Sequence, residues 1–349
     1  MRNRIIEDDL TFITNADLPW EDLTGKTILI SGAAGFLISY VVHLLLYLNE
    51  KNNSNIKVIG LVRNAELAYE KYGYVSSSEH LKFISQDVCD EISIDEKIDY
   101  IIHAASYATP KVFRDNPVGT ILPNVIGTKN LLELAVKNDV DGFLFFSTSG
   151  VYGHVADEDY PVQETCFGGL DCMALSSCYL ESKRMGENMC VAWMHQYGVP
   201  IKIVRPAITY GPGLNLDGGR SFEDFVSCIV HKRDIQLYSD GCAIRNFCYI
   251  ADATLGFFTV LLTGENGQAY NVATDHEISI KDLALHLVDD VFPERNLKVI
   301  MKYDSSKDYL RTEFSRTTVD ISKMRDLGWT LSFPIDEGFK RVVHSFDND

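Results

Sequence analysis

Short apolar runs with strand-like composition alternate with stretches of helical periodicity through the first part of the chain. Apolar runs of strand length predict strands buried on both faces, and the amphipathic helices between them predict the layers that bury them. The expected fold class is therefore α/β, with a doubly wound parallel sheet. The predicted strands are Lys26–Ile30, Lys57–Val62, Leu81–Ile84, Tyr100–His103, Gly142–Ser147 and Ile201–Val204, and the clearest helices begin at Gly35 or span Val118–Asn138 and Tyr179–Tyr197.

The alternating pattern stops after Val204. We expect Arg205-Pro206-Ala207 to end the strand, and the loop-rich segments 210–213 and 217–220 lead into mixed short strands and helices. This predicts a smaller mixed α/β C-terminal lobe that closes over the sheet and leaves a ligand cleft between the two. The expected boundaries are an N-terminal extension over 1–24, a sheet domain over 25–205, and 206–349 mainly in the smaller lobe, with some chain returning to the first domain.

Composition excludes several classes of protein. Lys and Arg number 32 against 49 Asp and Glu, a formal net charge of -17, which argues against a nucleic-acid partner. The sequence lacks an apolar run of about 18 residues, so we expect no membrane partner. The first residues turn acidic where a signal peptide is apolar, and the eight cysteines show no metal-ligand spacing. These features predict a cytoplasmic protein with reduced thiols and no metal site.

A glycine pair follows the first predicted strand and opens the first helix, in Ser31-Gly32-Ala33-Ala34-Gly35-Phe36-Leu37-Ile38. Gly32 permits a tight turn, Gly35 lets the backbone approach a phosphate, and the helix N-terminus offers unpaired N–H groups. This predicts a dinucleotide pyrophosphate site, or else an ordinary strand-to-helix turn. Ile38 departs from the small residue usual at the third position, which puts close helix–strand packing in doubt. The predicted cofactor contacts are Gly32, Ala34, Gly35, Phe36 and Leu37.

The second predicted strand ends without the carboxylate that usually binds the ribose hydroxyls. Arg63 follows it instead. A guanidinium there suits the 2′-phosphate of NADP, although a solvated arginine at a strand end would need no ligand. Asp87 and Val88, after the third strand, are placed to meet the adenine. The choice between NAD and NADP stays open.

Three residues form a candidate catalytic set. Thr148 follows the fifth predicted strand, and Tyr179 and Lys183 lie four residues apart on a predicted helix, so they share one face. A nearby ammonium group stabilises a phenolate and lowers the pKa of the tyrosine, while Thr148 hydrogen-bonds the same substrate oxygen. The set predicts proton transfer coupled to hydride transfer with a nicotinamide.

Together with the glycine turn, these motifs resemble the extended short-chain dehydrogenase/reductase family, and within it the nucleotide-sugar epimerases, dehydratases and decarboxylases. The resemblance covers roughly residues 25 to 330 and is strongest, overall, to UDP-glucuronate decarboxylases. Its further motifs are His103-Ala104-Ala105-Ser106, Asn124-Val125-Ile126-Gly127-Thr128, Arg205-Pro206, Tyr210-Gly211-Pro212, 215–220 and 245–252.

The resemblance implies a Rossmann-type domain that holds NAD or NADP, a smaller lobe that holds a nucleoside-diphosphate sugar, and a homodimer. It also implies that Arg220 and Arg245 bind the nucleotide of the substrate, at its diphosphate. The cofactor contacts it adds are Ala104, Ala105, Ser106, Ser147, Tyr179, Lys183 and Pro206. The substrate contacts it implies are Ser149, Gly150, Asn215, Arg220 and Arg245.

One position departs from the pattern of the lyases in this family. The decarboxylases and 4,6-dehydratases that the chain resembles carry a glutamate where this chain has Gly150, and the decarboxylases carry Glu-Arg where this chain has Leu175-Ser176. Glycine cannot act as an acid or a base. Glu164 or Glu181 could substitute, but we expect Glu164 to shape a loop and Glu181 to be solvated.

The resemblance to decarboxylases and the missing acid point in different directions. Since overall similarity does not fix a reaction, the residues at the site decide the expectation. We expect a nucleotide-sugar epimerase or 4-ketoreductase. A decarboxylase-like or dehydratase-like lyase is the first alternative, and a non-catalytic NAD(P)-binding protein is the second.

Overall fold

The computed structural model describes residues 3–107, 110–302 and 314–347, except for the side chains of Tyr74, Ser76, Pro110 and Lys111. Its centre is a seven-stranded sheet in the order β10-β6-β5-β4-β1-β2-β3, in which every pairing is parallel. The strands of the chain are β1 (Thr27–Ser31), β2 (Lys57–Val62), β3 (Leu81–Ser85), β4 (Tyr100–His103), β5 (Gly142–Phe146), β6 (Ile201–Pro206), β7 (Ile208–Tyr210), β8 (Ile235–Leu237), β9 (Ile244–Tyr249), β10 (Ala269–Val272), β11 (Glu277–Ser279) and β12 (Val299–Met301).

Helices cover both faces of this sheet. A π-helical turn, Pro123–Gly127, joins α5 to α6, so the predicted helix over 118–138 is present with an irregular middle. The α-helices are α1 (Arg4–Thr14), α2 (Phe36–Asn52), α3 (Ala65–Tyr72), α4 (Pro110–Asp115), α5 (Pro117–Leu122), α6 (Thr128–Asn138), α7 (Cys178–Tyr197), α8 (Ser221–Val230), α9 (Ile250–Thr263), α10 (Ile280–His286), α11 (Ser322–Asp326) and α12 (Ile335–Asp347).

The strand order places a crevice at the carboxyl ends of β1 and β4. These strands are neighbours, with Ser31 opposite His103, although the chain visits β2 and β3 between them. Crossovers leave the two strands in opposite directions, and such a reversal point is where doubly wound sheets bind their ligands. The predicted α/β doubly wound fold is confirmed.

The end of β6 differs from the sequence-based prediction. Arg205 and Pro206 continue the strand, with Pro206 opposite Val272 of β10, and the backbone N–H of Ala207 still donates to the Val272 carbonyl. Proline is tolerated there because it is the last residue of the strand, where the missing N–H removes little of the ladder. The expected break falls at Ala207 instead.

Two small sheets lie beyond β6. One has the order β11-β9-β7 and the other pairs β12 with β8, while β10 from the same part of the chain joins the large sheet. Tyr210 of β7 stacks on Phe339 of α12 with ring centroids 4.2 Å apart, so the last helix packs on the smaller sheet. Within the described ranges, no helix is long and apolar enough to cross a membrane.

The N-terminal helix α1 is part of the core. Its residue Asp9 is fully buried and accepts hydrogen bonds from the Tyr40 and Tyr249 hydroxyls and from the Arg341 guanidinium. Burial raises the pKa of Asp9, and the Arg341 charge opposes that shift. This ionic cluster ties α1 to α2, to the end of β9 and to α12.

Candidate active site

The glycine turn brings two strand ends into close contact. Gly32 has φ +71°, a left-handed conformation that favours glycine, and a Cβ on it would lie 2.8 Å from the backbone of Ala105. The Ser31 hydroxyl accepts hydrogen bonds from the backbone N–H groups of Ala104 and Ala105, each at 3.2 Å. The turn after β1 and the loop after β4 therefore form a single surface at the mouth of the crevice.

The N-terminus of α2 rises from this turn. Gly35 is the N-cap residue and supplies no side-chain cap, and Phe36 begins the helix. Ala34, Phe36 and Leu37 are half-buried at this end, while Ile38 is only 3% exposed and packs in the core. The larger residue at the third fingerprint position is thus accommodated. The arrangement fits a pyrophosphate, because the helix end offers N–H groups and no carboxylate side chain caps it.

A buried histidine supports the loop after β4. His103 Nδ1 lies 2.7 Å from the Ser31 hydroxyl, and its Nε2 lies 2.9 Å from the Thr128 hydroxyl. Burial, assisted by the charge of Lys183, lowers the pKa of His103 to about 3. The imidazole is therefore neutral, and its two hydrogen bonds connect β4 to β1 and to α6.

The outer edge of the crevice carries the other predicted adenosine contacts. The Arg63 guanidinium lies over the Tyr107 ring, 4.6 Å from its centroid. Asp87 is exposed, and its carboxylate accepts from the backbone N–H of Cys89 at 2.8 Å, so it closes its own turn. Val88 is buried against Gly127. Ser106, just before Tyr107, is half-buried.

Thr148 and Tyr179 are brought close together. The Thr148 hydroxyl accepts from the backbone N–H of Gly150 at 3.2 Å. Burial raises the pKa of Tyr179 to about 12, while the Thr148 hydroxyl and the Arg220 charge lower it. With that pKa the phenol carries its proton at neutral pH.

Lys183, four residues after Tyr179 on α7, is buried and contacts the end of β5. Its Nζ donates to the Phe146 carbonyl at 2.6 Å and lies over the Phe145 ring. Burial lowers the pKa of Lys183 to about 7, and Glu187 opposes that shift. Among the described residues, the charged group that lowers the pKa of Tyr179 is Arg220.

Between the glycine turn and the catalytic set lies an unsatisfied hydroxyl. Ser147, the residue after β5, is 6% exposed, and its Oγ has no hydrogen-bond partner among the described residues. A buried hydroxyl without a partner is costly in a folded protein, and a ligand would satisfy it. Pro206 ends the adjacent strand β6 and is buried. The glycine turn and this hydroxyl would fit a dinucleotide bound along the strand ends from β1 to β5.

Gly150 is covered by an apolar side chain. A Cβ on this residue would lie 2.7 Å from Leu180 Cδ2 and 3.6 Å from the Thr148 hydroxyl. Leu180 of α7 therefore fills the space next to the catalytic set into which a side chain at position 150 would extend. Ser149 and Gly150 begin a 3-10 turn, Ser149–Tyr152, and are half-buried.

The two arginines predicted to bind the substrate differ in what they contact. Arg220 forms an ion pair with Glu223, lies over the Phe222 ring, and is close enough to Tyr179 to shift its pKa. Its Nε is buried and has no partner among the described residues.

Arg245 is 5% exposed and donates to the backbone carbonyls of Ile244 and Phe314. Burial lowers its pKa to about 10. Asn215 is exposed, and its side chain accepts from the backbone N–H of Asp217. Of the two arginines, Arg220 is the one whose charge acts on Tyr179.

Sequence reasoning missed an aromatic residue at the site. Phe113 of α4 stacks on Tyr179, with ring centroids 4.7 Å apart and an angle of 11° between the planes. Leu180 and Tyr107 were missed as well. Nothing in the local pattern of these residues signals a site, because their partners lie in other elements.

Comparison with known proteins gives the family. A family model described as the NAD dependent epimerase/dehydratase family matches residues 28–273. The chain belongs to this family. UDP-glucuronic acid decarboxylase 3 of Arabidopsis thaliana is 31% identical over 329 residues, 91% of this chain and 88% of that protein. The dTDP-D-glucose 4,6-dehydratase of Mus musculus is 28% identical over 331 residues, 91% of this chain and 88% of that protein.

A solved structure shows the same fold. UDP-glucuronic acid 4-epimerase from Bacillus cereus, in complex with UDP-glucuronic acid and NAD, matches with a TM-score of 0.77 at 24% identity. The match covers 92% of this chain and 99% of that chain. The predicted family and enzyme class are confirmed, and so is a nicotinamide dinucleotide cofactor, since the family is NAD-dependent. Decarboxylase, dehydratase and epimerase all occur among these relatives, so membership leaves the reaction type undecided.

Proposed function

We propose that this protein is a nucleotide-sugar epimerase or 4-ketoreductase, which transfers hydride at one sugar carbon, removing and returning it in an epimerase and adding it in a reductase, and breaks no C–C or C–O bond of the sugar. The observation that carries this proposal is Gly150 with Leu180 packed over it. A lyase of this family needs an acid or base beyond the tyrosine, and that position offers an aliphatic side chain. Loss of a positioned general acid or base costs about 10²- to 10⁴-fold in rate.

The two carboxylates that could replace the missing acid are already engaged. The Glu164 carboxylate accepts from the backbone N–H of Asn271 at 2.8 Å, under β10. Glu181 lies in the first turn of α7, 3.9 Å from the Arg184 guanidinium. Neither is in hydrogen-bonding contact with Thr148 or Tyr179. Tyr179 is therefore the proton-transferring group of the proposed reaction.

The roles of the catalytic set follow from its geometry. Tyr179 gives a proton to the oxygen of a sugar ketone, or takes one from a sugar hydroxyl, and Thr148 holds that oxygen through its hydrogen-bonded hydroxyl. The nicotinamide, when bound, supplies or accepts the hydride at the sugar carbon. The raised pKa of Tyr179 keeps the phenol protonated, which is the state needed for reduction of a ketone. Lys183 fixes the start of the turn after β5 through the Phe146 carbonyl, and its side chain would bind the ribose of the nicotinamide.

We assign the cofactor to the crevice at the strand ends. Gly32, Gly35 and the start of α2 would hold the pyrophosphate, and the Ser147 hydroxyl would bond the nicotinamide end. The two-part organisation is proposed along with it, with 25–205 as the cofactor domain and 206–349 mainly as the substrate lobe. Arg220 reaches toward Tyr179 from the start of α8, which suits contact with the diphosphate of the substrate.

The test is a pair of substitutions at one position. Gly150→Glu restores a carboxylate beside Thr148, and Gly150→Gln is its matched control, with nearly the same volume and no acid. Leu180 Cδ2 is the end of a flexible side chain, so both variants can be accommodated. Products from a panel of UDP-, dTDP-, GDP- and CDP-sugars and their 4-keto forms are identified by mass spectrometry.

We expect the unmodified protein to give an isomer of unchanged mass or a product with two added hydrogens. Release of carbon dioxide or water by the unmodified protein would overturn the proposal. A new lyase product from Gly150→Glu but not from Gly150→Gln would show that the missing carboxylate sets the reaction type.

We further propose a homodimer. Val118 and Leu122 of α5, Ile126 of the π-turn, and Met185 and Val191 of α7 are apolar and exposed, and α5 packs beside α7. An exposed apolar surface of this kind marks a protein interface. The free state of all eight cysteines supports a reducing compartment such as the cytoplasm.

The dimer is tested by light scattering of the full chain. Leu122→Arg with Ile126→Arg places charges on the proposed face and is expected to give monomers, whereas Ile300→Arg, on exposed β12, is expected to leave the dimer intact. A monomeric unmodified protein at micromolar concentration would contradict the proposal.

A further inference from the structure

We propose that the adenosine end of the cofactor site is built for a 2′-phosphate, so that this protein binds NADP(H) in preference to NAD(H). Arg63 is the residue that pairs with the phosphate, and Lys71 adds a second positive charge. The inference rests on the dinucleotide-binding role proposed for the glycine turn, and it is independent of which sugar reaction follows.

The position of Arg63 is set by the sheet. β2 ends at Val62, and its residue Leu61 lies opposite Ser31, the residue that starts the glycine turn. The first side chain beyond β2 therefore stands beside the turn that holds the pyrophosphate. In doubly wound dinucleotide domains this position binds the ribose 2′-oxygen, with a carboxylate for NAD and an arginine for NADP. Arg63 is the residue found here.

The next residue offers no substitute acceptor for a free 2′-hydroxyl. Asn64 is the N-cap of α3, and its side-chain oxygen accepts from the backbone N–H of Leu67 at 3.0 Å. Asp87, at the end of the adjacent strand β3, closes its own turn through Cys89. The carboxylate that would favour NAD is therefore missing at the end of β2, and each of these two side chains forms a local turn or cap.

Arg63 is exposed, and an aromatic side chain holds its guanidinium at the crevice. Its guanidinium stacks over Tyr107, which lies in the loop after β4 on the other side of the crevice. Stacking on an aromatic face leaves the N–H groups in the guanidinium plane available, and that planar fork matches a phosphate. Within the described ranges, no carboxylate forms an ion pair with Arg63. The positive charge is therefore available to a ligand.

A second cation approaches the same turn from α3. The Lys71 Nζ donates to the carbonyl of Ala34, inside the glycine turn, at 2.7 Å. Its neighbour Tyr72 donates to the Ala33 carbonyl at 2.5 Å, so α3 is anchored on the turn by two hydrogen bonds. A 2′-phosphate bound between Arg63 and this turn would meet positive charge from both β2 and α3, and each charge-assisted contact adds to its affinity.

The test measures binding of NADPH and NADH to the protein stripped of nucleotide, without any sugar substrate. Affinities are measured by nicotinamide fluorescence and calorimetry at low and moderate salt. We expect NADPH to bind at least about 10-fold more tightly than NADH, with a preference that shrinks as salt screens the phosphate contact. If a nucleotide co-purifies, its identity by mass spectrometry gives the same answer, with NADP(H) supporting the proposal and NAD(H) opposing it.

Substitutions separate the phosphate contact from the rest of the site. Arg63→Ala is expected to weaken NADPH binding about 10- to 100-fold and NADH binding less than about twofold, and Lys71→Met is expected to give a smaller loss of the same kind. Arg325→Ala is the matched control, because its surface ion pair with Asp275 is far along the chain from the glycine turn. Equal or tighter binding of NADH by the unmodified protein, or an equal loss for both nucleotides in Arg63→Ala, would overturn the proposal.

These measurements also distinguish this proposal from the proposed function. Failure of any dinucleotide to bind would contradict the assignment of the glycine turn itself. Tight NADH binding with normal turnover of a nucleotide sugar would overturn only the 2′-phosphate site.

Discussion

The two halves of the candidate site are built by different means. The half proposed for the cofactor consists of strand ends and main chain: Gly32 packs against the backbone of Ala105, and the Ser31 hydroxyl fixes that loop. The half proposed for the substrate includes two long side chains, Arg220 and Arg245, which already have partners inside the protein. A tight backbone turn can be predicted from nearby glycines in the sequence. The partner of a long side chain cannot, because it comes from a distant segment of the chain.

The catalytic set lies where these halves meet. Thr148 follows a strand of the large sheet, Tyr179 lies at the start of α7, and Arg220 approaches from α8 with a charge that reaches the phenol. The proton chemistry therefore depends on both halves, and substitutions can be chosen that affect only one of them.

The largest effect is expected from substitution of Tyr179, where the two halves meet. Tyr179→Phe removes the proton donor while leaving the glycine turn intact, so turnover should fall by about 10²- to 10⁴-fold or more with cofactor affinity retained. Tyr197→Phe, at the far end of the same helix, is the control, and its activity should match that of the unmodified protein. Full activity in Tyr179→Phe would remove the proposed mechanism.

The second prediction compares two glycines, to separate the cost of a left-handed backbone from the loss of the cofactor site. Gly32 and Gly25 both have left-handed φ angles, +71° and +72°, but a Cβ on Gly25 meets nothing within 4 Å. Alanine at either position should cost about 1–3 kcal/mol of unfolding free energy through backbone strain. Gly32→Ala should in addition weaken dinucleotide binding at least about 10-fold, because the turn and the Ala105 loop must separate.

Calorimetric unfolding and cofactor titration of both glycine variants provide the measurements. Similar cofactor affinity in Gly32→Ala and Gly25→Ala would mean that the close approach of the turn to Ala105 does not form the cofactor site.

The third effect compares the two arginines. Arg220→Ala should raise the KM for a nucleotide sugar about 10-fold, and it should also destabilise the fold because the buried carboxylate of Glu223 loses its ion-pair partner. Arg245→Ala should lower the unfolding free energy by about 1–3 kcal/mol with little change in KM, because the part-buried carbonyls of Ile244 and Phe314 lose their donor. Steady-state kinetics and thermal unfolding measure the two effects. An unchanged KM in Arg220→Ala, or a raised KM in Arg245→Ala, would contradict these roles.

The features that the sequence predicts well are those encoded in a short stretch of chain. The strands Lys57–Val62 and Tyr100–His103 were predicted with the bounds found, because fully buried parallel strands are continuous apolar runs. The proposed pairing of Thr148 with Tyr179 also follows from local pattern, a strand end and a helical spacing, and its catalytic role stays a prediction.

The remainder depends on contacts between distant segments. Arg245 is held by the carbonyl of Phe314, and the ring of Phe113 covers Tyr179 from a short helix with no distinctive pattern. The contact of Lys183 with the Phe146 carbonyl likewise depends on how α7 packs against the sheet. Ile38 is larger than the residue usual at its position in the glycine motif, and the structure accommodates it in the core.

The smallest effect concerns the aromatic cover of Tyr179. Burial raises the pKa of this phenol, so Phe113→Ala, which admits water, should lower that pKa toward the ordinary value near 10. For reduction of a ketone, which needs the protonated phenol, the loss of activity at alkaline pH should begin at lower pH in this variant. Phe113→Tyr keeps the ring and should retain the original profile. Identical alkaline limbs in the alanine variant and the unmodified protein would exclude this role for Phe113.

The central claim is that Tyr179 acts with a nicotinamide alone, without the second acid that lyases require. The most direct measurement is to run the reaction in deuterium oxide and determine the mass of the product together with its carbon-bound deuterium. Elimination and decarboxylation protonate a carbon from solvent, whereas epimerisation or reduction by hydride transfer takes carbon-bound hydrogen from the nicotinamide. The account predicts a product that keeps every carbon and oxygen and contains no carbon-bound deuterium. A product that has lost carbon dioxide or water and carries deuterium on carbon would contradict it.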